Sequence, residues 1–306
     1  MAQLDIGKAA FAGFGVIGRK PLPPIIWGLV TMLLSVGPML LILPALLQFF
    51  DLAVAGVQNN TDPDPEQIMM LSAQMNTVTP LTWIAALLAY GLTTGALFRA
   101  MLKPEEKSWF YMRVSMAEVM LVVVTIVYAV LLLMAAGLLA GLVAVLALIA
   151  HQISESATLP VAIVLGLAAL GVLVWGGLRF SLGLAMSWER KSFLLFESWS
   201  LTRGHAFGLF LVGLINFIIS LLLAIVVGVV VGGSILAVMA STGMFQALAS
   251  EDPGAFFTPE KIKSLWPIAV VWITLASIFQ SYLTVVQTAP WAEAYGQLGT
   301  SNEETF

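Results

Sequence analysis

His151 and His205 come first among residues that could do chemistry, because imidazole titrates near neutrality and is the commonest metal ligand. Neither has a second ligand at metal spacing, and the HExxH pattern of zinc proteases is absent. No GxSxG elbow marks a serine nucleophile, and there is no cysteine to serve as one. Glu105 and Glu106 form a carboxylate pair of the kind used in acid–base work, but Phe110 stands where the supporting arginine would be needed. Met69, Met70 and Met75 carry thioethers that could hold copper(I). They equally form, with Ile68 and Leu71, the apolar face of a short helix after Pro65, which is the expectation taken here. A Walker A loop and a dinucleotide-binding glycine fingerprint are also missing. No catalytic residue, metal or cofactor is expected.

Charge and polarity inside apolar sequence are more informative, since an unpaired ion in hydrocarbon costs several kcal/mol. Arg99 and Glu118 bracket one short loop, and Arg179 and Glu197 another, so Arg99–Glu118 and Arg179–Glu197 are expected as two ion pairs. Their role is to pin helices by charge-assisted hydrogen bonds, with a substrate gate as the alternative. Gln280, Thr284, Gln287 and Trp291 recur at i, i+4, i+7 and i+11, beside Ser277 and Ser281. Such a stripe is expected to face protein or a wet cavity, and Asn216 is its candidate partner. Interhelical hydrogen bonding and a transport path both account for that cluster.

What must position these groups follows from composition. Of 306 residues, 60% are hydrophobic and 10% charged, and mean hydropathy is +0.98. Soluble chains carry about 25% charge, so an aqueous surface cannot be built from this material. Six runs reach the length of about 20 residues that spans a bilayer as a helix: about 25–50, 80–101, 114–150, 159–187, 206–240 and 264–290. The expected fold is therefore an all-α six-transmembrane-helix bundle in a single domain, residues 1–306. Gly137–Gly141, Gly228–Gly232 and Gly91–Gly95 offer close-packing faces, and Pro38 and Pro44 should kink the first span.

Basic residues set the orientation. With both chain ends on one side, that side holds eleven Lys and Arg against nine Asp and Glu, and the other two against eight. The bias predicts cytoplasmic termini. With a formal charge of −4, nucleic acid is not an expected partner.

Pro80, Pro160 and Pro267 are read as starts of the returning helices. The stretches Leu4–Arg19, Glu105–Arg113 and Glu189–Arg203, rich in basic and aromatic residues, are read as interfacial amphipathic helices. Glu105-Glu106-Lys107-Ser108-Trp109-Phe110 also matches Glu189-Arg190-Lys191-Ser192-Phe193-Leu194 locally, which suggests three repeated helical hairpins. Arg99, Lys103, Lys107, Arg113, Arg190, Lys191 and Arg203 are the expected lipid-headgroup contacts.

Ser198-Trp199-Ser200-Leu201-Thr202-Arg203-Gly204 resembles the SW-x-LTRG element of polytopic bacterial membrane proteins, among them the membrane domain attached to some glycerophosphodiester phosphodiesterases. The resemblance implies a bacterial inner-membrane helical bundle without catalytic residues, because that family's chemistry sits in a separate soluble domain that is not expected here. The functional expectation is a non-catalytic lipid-interacting scaffold, or an accessory subunit whose partners are membrane lipids, anionic ones included, and other membrane subunits. A transporter or channel for a small or amphipathic substrate is the alternative.

Overall fold

Backbone amides in hydrocarbon must find partners within their own segment, which leaves a continuous helix as the solution for each apolar run. The computed structural model describes residues 4–59, 64–106, 108–243 and 259–303, and among these there is no strand. The short helices α1 (Ile6–Ala10) and α2 (Ala12–Arg19) precede α3 (Leu22–Asn59) and α4 (Pro65–Leu102). Then come α5 (Met116–Ile153), α6 (Thr158–Phe180), α7 (Gly183–Arg190), α8 (Ser198–Leu201), α9 (Ala206–Ser241) and α10 (Pro259–Glu303). Six segments are long and apolar enough to cross a membrane, so the chain is a multi-pass integral membrane protein with an all-α, six-helix fold.

The bounds of α5 and α9 fall within a few residues of expectation, and those of other helices do not. α4 begins at Pro65 and α10 at Pro259, so Pro80 and Pro267 lie inside helices rather than at their starts. Proline removes one intrahelical hydrogen bond, a loss that local adjustment can make good in a spanning helix. Met69, Met70 and Leu71 accordingly sit in the first turns of a long helix, not on a separate short one. Pro38 and Pro44 are both internal to α3.

The fourth span stops at Phe180, and a turn at Ser181–Leu182 separates it from α7. Of the three interfacial stretches, only Leu4–Arg19 is largely helical, as α1 and α2. Glu105–Arg113 holds turns and a 3-10 helix at Trp109–Tyr111, whereas Glu189 and Arg190 end α7. The two locally matching sequences thus take different conformations. Lys107, Asp62, Glu251 and Asp252 lie outside the described residues.

Residue contacts divide the chain into two units. Unit 1 comprises Met1–Val16, Thr94–Phe217 and Val286–Phe306; unit 2 comprises Ile17–Thr93 and Ile218–Val285. In unit 2, Gly28 of α3 lies against the backbone of α10. A Cβ there would stand 2.7 Å from Ile278 Cα and 2.8 Å from the Ser277 carbonyl oxygen. Tyr282 donates to the Pro21 carbonyl at 2.8 Å, which ties the same two helices together.

In unit 1, Asp5 caps α1 by accepting from the Lys8 amide at 2.9 Å, and the Asp5 amide donates to Gln297 Oε1 at 2.8 Å. Lys8 Nζ meets Glu293 at 2.7 Å, so the first described residues pack on the last helix. Gly137, Gly141, Gly228 and Gly232 face open space, whereas Gly95 meets a neighbour. That neighbour is the Glu118 side chain.

Candidate functional site

Unit 1 holds both arginines that the sequence placed at helix ends, and it treats them differently. Ser115 N-caps α5 by accepting from the Ala117 amide. Together with Glu118 it has the spacing of a capping box. Here, however, the Glu118 carboxylate takes the Ser115 hydroxyl at 2.6 Å and turns inward. Its other oxygen accepts from Arg99 Nη2 at 2.5 Å and from Trp188 Nε1 at 3.2 Å. Arg99 Nη1 donates to the Tyr111 carbonyl at 2.6 Å. Phe110 and Tyr111 occupy left-handed backbone (φ 47° and 65°), the bend from which that carbonyl is presented. Arg99 Nε lies 3.4 Å from Glu106, close enough for attraction but without hydrogen-bond alignment.

Burial completes this first pair: Arg99 is 2% exposed and Glu118 4%. Trp188 of α7 packs its ring beneath Arg99 and Lys103, 5.5 and 5.8 Å from their charged centres. Lys103 also reaches the Glu189 carbonyl at 3.5 Å. The expected Arg99–Glu118 pair therefore forms. Arg99 is enclosed rather than available to a headgroup, which corrects the expectation that it contacts lipid. Its neighbours supply what a desolvated ion pair requires, additional hydrogen bonds to the remaining lone pairs and protons.

Arg179, near the C-terminus of α6, does not pair with Glu197. Among the described residues no carboxylate reaches ion-pair distance of it. Its guanidinium sits beside the edge-to-face pair of Trp175 and Trp199, 5.5 and 5.3 Å from the ring centroids, which are themselves 5.0 Å apart. Cation–π attraction replaces the ion pair.

The reason is local. Ser198 donates its hydroxyl to the Arg179 carbonyl at 2.8 Å, meeting one of the acceptors left over at the end of α6. Thr202 donates to the Ser198 carbonyl at 2.9 Å, and Gly204 turns the chain with φ +87° into α9. Anchored in this way, the segment brings Trp199 rather than Glu197 over the guanidinium. The SW-x-LTRG residues thus cap one spanning helix and reverse the chain into the next. Beside them opens a recess of about 780 Å³, lined by Trp175, Arg179, Glu197, Trp199, Ser200 and Arg203 among others.

The loop leading there is held by α7. Lys191 ends that helix in left-handed backbone (φ 54°), and the Ser192 amide returns to the Ser187 carbonyl at 3.2 Å, a Schellman-type closure. Buried Ser187 accepts from the Leu194 amide at 3.0 Å. Leu195 closes on Gly183, where a Cβ would meet it at 2.9 Å. Arg113, Arg190, Lys191 and Arg203 remain exposed, together with Phe193, Phe196 and Trp199.

The polar stripe of α10 is not enclosed. Gln280 and Gln287 are exposed and Thr284 is half-buried, its hydroxyl bonded to the Gln280 carbonyl at 2.9 Å. Asn216 is buried and does meet α10, donating to the Gln287 backbone carbonyl at 3.0 Å rather than to its side chain. A separate apolar cavity of about 440 Å³ in unit 1 is bordered by Tyr128, Gly177, Ser181, Gly213 and Trp291, and none of the stripe glutamines lines it. No group of three or more metal-ligating side chains occurs among the described residues.

Sequence reasoning missed Trp175 and the burial of Trp188 against Glu118, while Ser198 and Thr202 were singled out only as part of the SW-x-LTRG motif. Trp175 was findable, because it sits four residues before Arg179, on the same helix face. In comparisons with protein-family models, curated proteins and solved structures, the chain matches none.

Proposed function

We propose that this chain is a non-catalytic protein of the bacterial inner membrane that recruits anionic lipid. In this reading it serves as a scaffold or as an accessory subunit of a membrane assembly, with both termini in the cytoplasm. One observation carries the reading: exposed Arg113, Arg190, Lys191 and Arg203 share unit 1 with exposed Phe193, Phe196 and Trp199. Aromatic rings of this kind settle at the headgroup level, and each nearby basic residue adds about 1 kcal/mol of attraction to an anionic surface. Buried Arg99 and Glu118 are hydrogen-bonded to each other and to Tyr111 and Ser115, which supports a structural role for the pair.

The test is reconstitution into nanodiscs of mixed phosphatidylglycerol and phosphatidylcholine, followed by analysis of the lipid that co-purifies. Enrichment of phosphatidylglycerol supports the proposal, and recovery in the input ratio removes its lipid component.

A second reading, passage of an amphipathic substrate, is favoured by the apolar cavity beside Tyr128 and Trp291. Because the chain has no cysteine, Ser181→Cys gives a single reporter at the cavity wall. Labelling by a water-soluble thiol reagent supports passage, and complete protection argues against it.

A further inference from the structure

Three features of unit 1 could take a ligand. The apolar cavity beside Trp291 is lined by the hydroxyl-bearing Tyr128 and Ser181 but by no charged group that would select an occupant. The small-residue groove between α5 and α6 likewise shows nothing to say what covers it. The recess at Arg179 differs, because its polar groups point to one chemistry.

We propose that this recess seats the phosphodiester of an anionic phospholipid, with Arg179 as its central contact and Arg203 as the second cation. This deepens the lipid-recruiting reading given above and rests on it. Arg179 has no carboxylate partner among the described residues; its guanidinium makes a long contact of 3.5 Å from Nη1 to the Thr202 hydroxyl. Its Nε is buried and unpartnered. A guanidinium brought to the end of a spanning helix and left with donors unused is a ready receptor for phosphate oxygens, which it matches in a two-pronged geometry. Trp175 and Trp199 hold that guanidinium 5.5 and 5.3 Å from their ring centroids, which lowers the freedom lost on binding.

Charge narrows the ligand further. Arg179 and Arg203 against Glu197 leave the lining with one excess positive charge. A phosphodiester headgroup with a neutral alcohol carries one negative charge and balances it. A zwitterionic headgroup leaves the excess uncompensated at the edge of the hydrocarbon, and a phosphate dianion overshoots it. The exposed rings of Phe196 and Trp199 at the mouth suit the glycerol and upper acyl region of a lipid rather than a free ion in water.

Intact-complex mass spectrometry of the delipidated full chain in detergent tests this. The probes are phosphatidylglycerol, phosphatidylcholine, diacylglycerol and inorganic phosphate. The expected result is a first phosphatidylglycerol bound well ahead of the other lipids and not displaced by inorganic phosphate. Arg179→Gln should weaken that first event about tenfold, the effect of one lost charge-assisted hydrogen bond.

Arg179→Lys keeps the charge, guards against misfolding of the glutamine variant, and should fall between the two because the planar fork is gone. If wild type does not distinguish phosphatidylglycerol from phosphatidylcholine, the lipid-recruiting reading fails and the seat with it. If the preference exists and both Arg179 variants keep it in full, the seat alone is wrong. Displacement by inorganic phosphate at matched concentration would make the ligand a free anion and overturn the lipid assignment.

Discussion

Arg99 and Arg179 occupy equivalent sequence positions, each near the C-terminal end of a spanning helix and each followed after a short loop by a glutamate. The first is enclosed with Glu118 behind Trp188 and Gly95; the second lies beside two tryptophans with Glu197 standing off. One arrangement commits both terminal guanidinium nitrogens to the fold, to Tyr111 and Glu118. The other holds the cation in place and leaves part of its hydrogen-bonding capacity unspent, which is what separates a structural charge from one that can receive a ligand.

The largest expected effect comes from orphaning the enclosed charge. Glu118→Ala leaves Arg99 buried with only the more exposed Glu106 carboxylate, 3.4 Å from its Nε, as counter-ion and should cost about 3–5 kcal/mol, measured by unfolding in mixed micelles. Replacing both partners by apolar residues, Arg99→Met with Glu118→Leu, should recover most of that loss. Next is Gly95→Ala, whose methyl group would stand 2.8 Å from Glu118 Cγ and Oε1. Overpacking of this kind costs about 1–3 kcal/mol, and Trp188 emission should shift as its hydrogen bond to Glu118 is disturbed.

The smallest loss is expected for Arg179→Ala. It removes two cation–π contacts and orphans no charge, for a cost of about 1–2 kcal/mol in the same unfolding experiment. A loss equal to that of Glu118→Ala would erase the distinction between the two arginines.

The same comparison shows how far the sequence could be read. Both ion pairs were inferred by one argument, a cation and an anion separated by a loop at the same membrane level. It succeeded for Arg99 because Ser115 caps α5 and turns Glu118 inward. It failed for Arg179 because Ser198 and Thr202 bind the turn to the end of α6 and bring an aromatic ring forward instead. Charge spacing carries no record of that choice, whereas the hydroxyls of Ser198 and Thr202, four positions apart, do so only once the turn is known. Trp188 lies 70 residues from Glu118, so no local pattern could have joined them.

The membrane fold itself was legible because hydrocarbon permits one backbone solution. Helix starts were less so: Pro80 and Pro267 satisfy the rules for a first turn, yet mixed polar and apolar sequence upstream is already helical and carries the helix past them. On α10, Asn216 meets the Gln287 backbone carbonyl, its own Oδ1 stays buried without a partner, and the side chains of Gln280 and Gln287 stand exposed.

The bare contact of Gly28 with Ser277 and Ile278 has a consequence for synthesis. α3 mates backbone to backbone with α10, which leaves the ribosome well after it. At ordinary elongation speeds the interval between them is roughly 10–50 s. Throughout that wait the glycine notch must be filled by lipid or by an insertion factor, and α10 has to evict the occupant before unit 2 can close.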